Sequence, residues 1–169
     1  MKSFKEILTE RTYWGNNASG FVIYAADTKK ILCVLRSSRV NEPHTWSITI
    51  SGKIDGNESP IEAARREMKE ELKYSGITSV PKVFDVYEDT DDNGNKFKFT
   101  TYFIAVPHEF TPLLNREHKK AFWWNGKDII DGKLHFGTKR IIKKMKLEKF
   151  SINDLIDNPL IKKLRIVKK

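Results

Sequence analysis

One stretch of this sequence constrains the fold more than any other, because it joins a helix start to a dense group of carboxylates. Residues 52–71 read GKIDGNESPIEAARREMKEE. Ser59 can cap a helix, Pro60 suits the first helical position, and Glu62 completes an S-x-x-E capping box. The sequence therefore predicts a helix that begins at Pro60.

The predicted helix has one apolar face. Its members recur three or four residues apart, as on one side of an α-helix: Ile61, Ala64, Met68 and Leu72. We expect the helix to run to Tyr74 or Ser75 and to end at Gly76, since glycine readily takes the left-handed conformation that closes a helix.

Three glutamates lie beside that face. Glu67 and Glu71 are four residues apart, and Glu70 is three from Glu67, so the carboxylates would cluster. Arg66 is placed to reach Glu62 and Glu70. Clustered carboxylate oxygens are ligands that Mg²⁺ and Mn²⁺ prefer. A solvated acidic face of an amphipathic helix has the same local pattern, so this spacing alone leaves both interpretations open.

The longer spacing favours the functional interpretation. Six fixed positions and one apolar position stand in the register of a Nudix box: Gly52, Glu58, Arg66, Glu67, Met68, Glu70 and Glu71. The stretch therefore resembles the signature of the Nudix hydrolases, and Trp46 with Ser51-Gly52 resembles the strand and turn that lead into it. Lys73 and Tyr74 depart from the pattern, because the box normally closes there with a glycine and an apolar residue.

The resemblance implies an α/β Nudix fold, in which a mixed β-sheet is sandwiched between α-helices. Residues 1–150 would form the hydrolase domain, and residues 151–169 a basic C-terminal extension packed on it. Apolar runs bounded by turn residues predict strands near residues 20–25, 31–35, 46–50, 82–88 and 96–106. A second helix is expected over residues 138–147, with its apolar side chains Ile141, Ile142 and Met145 facing inward.

The same resemblance implies the composition of a metal-dependent site. Its metal-binding oxygens would come from Ser51, Gly52, Glu67, Glu70, Glu71 and Glu117. Its catalytic set would be Glu67, Glu71, Glu117 and Arg66, with the arginine orienting the glutamates. Glu117 would be an additional carboxylate that the fold brings to the box helix, while the adjacent His118 would have a structural or hydrogen-bonding role. The cofactor would be Mg²⁺ or Mn²⁺, and either Glu67 or Glu117 would act as the general base.

Candidate substrate contacts lie on both sides of the box. Arg36 and Arg39 follow the second predicted strand and could contact phosphate, although solvated loop residues would look the same. Trp46 precedes the box and is also a candidate. Several aromatic residues could stack on a base or pack in the core: Trp14, Tyr87, Phe99, Trp123 and Trp124.

The implied activity is metal-dependent hydrolysis of a nucleoside diphosphate linked to another group, such as a nucleoside triphosphate. One alternative is an RNA-end hydrolase of the decapping type. Another is a non-catalytic Nudix-fold binding module, although all charged box positions are filled. The sequence lacks the marks of enzymes specific for ADP-ribose, dinucleoside polyphosphates or NADH, which favours a nucleoside triphosphate or an unclassified substrate.

Charge and composition bound the remaining possibilities. The chain has a net charge of +9, and residues 139–169 carry 11 Lys or Arg against three acidic residues, so this segment supplies +8. We expect at most weak contact with RNA or DNA through it. Cys33 is the only cysteine, which excludes an intrachain disulfide. Since neither a signal peptide nor a membrane-spanning run is found, we expect a cytoplasmic protein without membrane contact.

Overall fold

The computed structural model describes residues 17–126 and 130–147. The predicted extension over residues 151–169 lies outside these residues, so the division at residue 150 stays a prediction. The described elements are β1 (Asn17–Ala25), β2 (Lys30–Arg36), β3 (Trp46–Ser47), β4 (Thr49–Lys53), α1 (Pro60–Leu72), β5 (Lys82–Thr90), β6 (Lys96–Val106), β7 (His118–Trp124) and α2 (Phe136–Leu147).

The strands form one mixed sheet around β1. Strand β1 pairs in parallel with β6 and antiparallel with β2 and β4. Strand β2 also pairs with β3 and β7, and β5 pairs with β6 at one edge of the sheet. Strand β4, which contains Gly52, joins the sheet through its pairing with the central strand β1.

Two apolar clusters cover the opposite faces of this sheet. Because successive strand residues point to opposite faces, β1 contributes Phe21 and Ile23 to one cluster and Val22 and Tyr24 to the other. The first cluster packs against α1 through Ala64, Met68 and Leu72, and the second against α2 through Ile141 and Met145. The sheet therefore lies between two helices, which confirms the predicted α/β class.

Helix α1 begins as the sequence predicts. The Ser59 side chain accepts a hydrogen bond from the Glu62 backbone N–H, and the Ser59 N–H donates to the Glu62 carboxylate at 2.8 Å. Both halves of the capping box are therefore formed, and Pro60 occupies the first turn. The prediction of the helix start is confirmed.

The predicted end of α1 is wrong. The helix stops at Leu72, and Lys73, with φ 53° and ψ 32°, takes the left-handed conformation that was expected at Gly76. A longer helix would need the carbonyls of Glu71 and Leu72 for its own hydrogen bonds. Those carbonyls instead accept hydrogen bonds from the backbone N–H groups of Asn115 and Leu113, both at 3.0 Å.

Other boundaries also differ from the sequence prediction: β1 begins at Asn17, β5 extends to Thr90, and the strand β7 was not among those predicted. The strand expected over residues 46–50 is two strands, because the Ser47 hydroxyl bonds both the N–H and the C=O of Thr49, at 3.1 and 2.9 Å. Helix α2 begins at Phe136, two residues earlier than expected, and the Glu42 carboxylate accepts the Phe136 N–H at 3.0 Å. Across the described residues, neither helix is long and apolar enough to cross a bilayer.

Candidate active site

Strand β4 and helix α1 approach each other closely at Gly52. A Cβ atom added to Gly52 would lie 2.0 Å from the Glu67 Oε1 atom. Because atoms at that separation would clash, only glycine lets the end of β4 pass beside this carboxylate in the observed arrangement. The observed position of the Glu67 carboxylate therefore requires a glycine at residue 52.

Glu67 and Glu71 form a coupled carboxyl pair beneath this strand. Their carboxyl groups lie close enough for each to affect the pKa of the other, and the Ser51 backbone N–H favours the ionised form of Glu71. The Glu71 side chain is only 2% exposed. Burial, reinforced by the charge of Glu117, raises the pKa of Glu71 to about 8, and burial raises the pKa of Glu67 to about 7. The pair therefore retains a proton near neutral pH when no cation neutralises it.

Arg66 connects the box loop to the carboxyl pair. Its Nε and Nη2 atoms donate to the two Glu58 oxygens at 2.8 and 3.1 Å, and Nη1 donates to Glu67 Oε1 at 2.6 Å. A further bond of 2.8 Å joins Nη2 to the Lys53 carbonyl. The expected contact with Glu62 is wrong, since Glu62 is engaged in the capping box. Arg66 thus fixes one oxygen of Glu67.

Glu117 reaches the site through a loop that binds the end of α1. The loop is anchored to the last turn of α1 by Leu113 and Asn115, and the Asn115 side-chain oxygen accepts the Glu117 N–H at 2.9 Å. This places Glu117 close enough to Glu71 for its charge to raise the pKa of that carboxyl. Nothing local in the sequence revealed the part that Asn115 plays.

His118 is a hydrogen-bonding partner of the site. Its Nε2 atom bonds the Glu71 Oε2 atom, and both side chains are buried. Burial, with the nearby charge of Arg36, lowers the pKa of His118 to about 4, so the imidazole is neutral at pH 7. The hydrogen-bonding role expected from the sequence is present, and its partner is a box glutamate.

These groups surround a pocket of about 500 Å³, which we call the acidic pocket after its carboxyl groups, although four basic side chains also line it: Arg36, Arg39, Lys53 and Arg116. Most of the predicted site residues line it together: Arg36, Arg39, Ser51, Gly52, Glu67, Glu71 and Glu117. Glu70 does not line this pocket. Its side chain is 56% exposed and lies 3.5 Å from Arg66 Nη1, so the geometry gives no support to its predicted place among the metal ligands.

Trp46 lies away from this pocket as well. Its indole N–H donates to the Asp131 carbonyl at 2.8 Å, and its ring packs edge-on against Phe122 with centroids 5.0 Å apart. These contacts join β3 to β7 and to the segment before α2. The structure therefore gives Trp46 a packing role in place of the predicted substrate contact.

A second, aromatic cavity of about 120 Å³ adjoins the acidic pocket. The two share part of their walls, including Arg36, Thr49, Ser51 and Gly52. Of the aromatic residues proposed to stack on a base, Tyr87 and Phe99 line this cavity, but Trp123 and Trp124 do not; Trp14 lies outside the described residues. The sequence interpretation missed Phe97 and Phe136. The two-residue spacing of Phe97 and Phe99 on β6 could have indicated that they share one face.

The NUDIX domain family matches residues 16–145. The chain belongs to the Nudix family. It is a pyrophosphohydrolase that acts on nucleotide pyrophosphate bonds. The arrangement of Gly52, Arg66 and the box glutamates is thus the Nudix box in three dimensions, with Lys73 in the left-handed position where the box pattern has glycine.

A relative of this chain is similar in sequence, and solved structures share its fold. The dihydroneopterin triphosphate diphosphatase of Haemophilus influenzae is 26% identical over 131 residues, which cover 70% of this chain and 80% of that protein. The Nudix hydrolase RenU from M. smegmatis superimposes with a TM-score of 0.66 at 20% identity, covering 84% of this chain and 88% of RenU. The E. coli dihydroneopterin triphosphate pyrophosphohydrolase gives a TM-score of 0.60 at 19% identity, covering 82% and 99% respectively.

Nudix hydrolases generally use divalent metal ions, and the chemistry of this pocket fits such an ion. Within residues 17–126 and 130–147, no three His, Cys, Asp or Glu side chains already converge as a ligand set. However, the Glu67–Glu71 pair, with Glu117 nearby, offers hard oxygen ligands. When no cation is bound, a proton offsets part of the negative charge of this pair. A divalent cation bound here would take over that role.

Proposed function

We propose that this Nudix enzyme uses Mg²⁺ or Mn²⁺ to hydrolyse the pyrophosphate linkage of a nucleoside diphosphate joined to another group, a nucleoside triphosphate being the simplest case. The observation that supports this most is the junction of the acidic pocket with the aromatic cavity along Thr49, Ser51 and Gly52. A molecule with a flat ring at one end and phosphates at the other would occupy both.

The metal-binding residues would be Glu67, Glu71 and Glu117, with oxygen from Ser51-Gly52. A bound divalent ion supplies charge neutralisation for the phosphates and a water of lowered pKa. Arg66 would keep the Glu67 carboxylate in one orientation, because it bonds Oε1 and is itself fixed by Glu58. Either Glu67 or Glu117 would accept the proton from the attacking water.

The arginines on the pocket wall would bind the anionic substrate. Arg36 lines both the acidic pocket and the aromatic cavity, and Arg39 lines the acidic pocket. The Arg36 Nε atom donates to the Asn41 carbonyl at 2.8 Å, which orients the guanidinium group. Both residues would contact phosphate oxygens and offset the repulsion from the glutamates.

Substitution of the buried carboxyl pair tests the proposed chemistry. Glu67→Gln and Glu71→Gln should each lower kcat by about a hundredfold or more while the fold is retained, since an amide is a poor metal ligand and cannot accept the proton. Glu88→Gln is a matched control, because Glu88 is exposed on β5 and pairs with Lys98. Unchanged turnover in both pocket variants, measured with Mg²⁺ and with Mn²⁺, would contradict the assignment.

A substrate panel distinguishes the remaining candidates. Dihydroneopterin triphosphate is a second candidate, which the names of the H. influenzae relative and the E. coli structure support. The panel should therefore include this compound beside nucleoside triphosphates, ADP-ribose, sugar nucleotides and dinucleoside polyphosphates. Capped RNA belongs in it too, because the decapping alternative depends on a basic segment that lies mostly outside the described residues. The largest kcat/KM identifies the preferred class.

A further inference from the structure

The aromatic cavity carries an ion-pair cluster on its wall, away from the carboxyl pair. Asp85 on β5 accepts hydrogen bonds from Arg140 on α2, at 2.9 Å from Nε to Oδ2 and 3.3 Å from Nη2 to Oδ1. Lys144 Nζ lies 3.2 Å from Asp85 Oδ1 and also donates to the Phe84 carbonyl at 2.8 Å. Both Asp85 and Arg140 line the cavity.

Asp85 is ionised within this cluster. Its side chain is only 8% exposed, and burial alone would raise the pKa of the carboxyl. The hydrogen bonds and charges of Arg140 and Lys144 outweigh burial and hold that pKa below its usual range. A charged, buried carboxylate is a fixed anchor for the guanidinium group.

Arg140 is therefore oriented from two sides. Asp85 bonds two of its nitrogens, and its Cζ atom lies 4.6 Å from the centroid of the Tyr87 ring. The side chain is 37% exposed, and its Nη1 group makes no hydrogen bond to any residue that the structure describes. The cavity wall thus carries an arginine with donor hydrogens left for a ligand.

The cluster of Asp85, Arg140 and Lys144 has more hydrogen-bond donors than acceptors. Two cations surround one carboxylate, and three hydrogen bonds already occupy the two Asp85 oxygens. A ring carbonyl placed here would accept from Arg140. A ring amino group in the same place would bring N–H against N–H and leave both groups unpaired, which costs binding.

We propose that Arg140, held by Asp85 and Tyr87, is a specificity-determining residue that selects a substrate ring with an exocyclic oxo group over one with an amino group in the same place. This inference rests on the proposed function, because it requires that the ring of the substrate enters the aromatic cavity. It adds a substrate class, oxo-substituted rings, to that function.

Two pairs of nucleotides test the inference directly. ITP and ATP differ at the purine 6-position, where one has an oxo group and the other an amino group, and UTP and CTP differ in the same way at the pyrimidine 4-position. The native enzyme should show a kcat/KM for the oxo member at least about tenfold above that for the amino member, as expected when a polar site meets the wrong partner.

Substitution of Arg140 should remove this preference. Arg140→Met keeps much of the apolar stem and removes the guanidinium group, so the ITP:ATP ratio should fall towards 1, mainly by loss of activity on ITP. Arg140→Lys retains the charge beside Asp85, which protects the fold, and loses the planar fork, so its ratio should fall as well. Arg65→Met is the matched control, because Arg65 is exposed on α1 outside both cavities.

Binding separates the failure of this inference from the failure of the proposed function. Calorimetric titration of the Glu67→Gln variant with ITP and ATP, in EDTA and without added divalent ions, should show the same preference while turnover is suppressed. Equal binding of the two, or a ratio unchanged in Arg140→Lys, overturns the role of Arg140 while hydrolysis by the native enzyme still supports the proposed function. Absence of hydrolysis for every nucleotide overturns both.

Discussion

At the scale of single residues, the closest constraint is the space between Gly52 and Glu67. In Gly52→Ala the added Cβ would lie 2.0 Å from a carboxylate oxygen at the flexible end of a side chain, which can move away. We therefore expect the free energy of unfolding to change by less than about 1 kcal/mol. We expect kcat to fall about a hundredfold, since a displacement of this size disrupts a reacting geometry.

Gly20 provides the contrast for this experiment. A Cβ added to Gly20 would lie 2.4 Å from the Ile50 carbonyl oxygen, which belongs to the backbone of β4 and cannot rotate away. Gly20→Ala should therefore lower the midpoint of thermal unfolding. Full activity in Gly52→Ala, measured beside its unfolding curve, would show that the position of Glu67 is not critical.

Lys73 is a second residue whose backbone determines the expected result. Its φ of 53° is a left-handed conformation that glycine adopts without the steric cost of a Cβ atom. Lys73→Gly should raise the free energy of unfolding by about 0.5–1 kcal/mol in urea denaturation. Lys69→Gly, one turn earlier inside α1, should lower it by about 1 kcal/mol. If both substitutions destabilised the protein equally, the left-handed assignment at Lys73 would be wrong.

At the scale of elements, the contact between α1 and the loop over residues 113–118 links the fold to the site. In Asn115→Ala, the Glu117 N–H loses its acceptor, while the backbone bond from Asn115 to Glu71 remains possible. We expect a loss of stability of about 1 kcal/mol and a fall in kcat of about tenfold, because Glu117 would be less well positioned. Asn115→Asp retains an acceptor and should recover most of the activity.

The same contact shows what the sequence could and could not predict. The start of α1 was predictable because Ser59, Pro60 and Glu62 act within one turn of chain. Its end was not, because the carbonyls of Glu71 and Leu72 are bonded by residues about 40 positions away. The spacing of the box also predicted that Glu67 and Glu71 lie together, because residues four apart on one helix are neighbours.

Distant pairings escaped the sequence interpretation for the same reason. The hydrogen bonds between Asp85 and Arg140 join residues 55 positions apart, and nothing local marks either as part of a cavity. Trp46 is the opposite case, since its position before the box indicated a substrate contact. Its partners Phe122 and Asp131, which are distant in sequence, give it a packing role instead.

At the scale of the whole molecule, the buried carboxyl pair should link stability to pH and to metal. The folded pKa values of about 7 for Glu67 and about 8 for Glu71 lie above an unfolded value near 4.5. A raised pKa contributes stability below the unfolded pKa, and this contribution is lost as pH rises through the folded pKa. Without divalent ions, the free energy of unfolding that these two groups contribute should therefore decrease as the pH rises from about 4.5 to 8.

Urea denaturation at pH 5 and pH 8 measures this linkage, with EDTA or with Mg²⁺. The contribution of the two carboxyl groups to the free energy of unfolding should differ by about 1 kcal/mol or more between pH 5 and pH 8 in EDTA. The difference should be smaller in Mg²⁺, because the ion replaces the proton. The pKa of buried His118 is lowered, so its contribution to stability increases with rising pH. The pH dependence of the native protein must therefore be compared with that of the Glu71→Gln variant. No difference in pH dependence between them would contradict the shared proton.

The shared wall of the two cavities has a consequence for how this enzyme can evolve. The groups proposed for hydrolysis come from α1, the Ser51-Gly52 end of β4 and the loop that carries Glu117, whereas the side chains proposed to face the ring come mainly from β5, β6 and α2. Only a few residues, among them Thr49 and Arg36, belong to both. If the ring binds as proposed, mutations on β5, β6 and α2 would retarget the enzyme to a new heterocycle without changing the glutamates of α1.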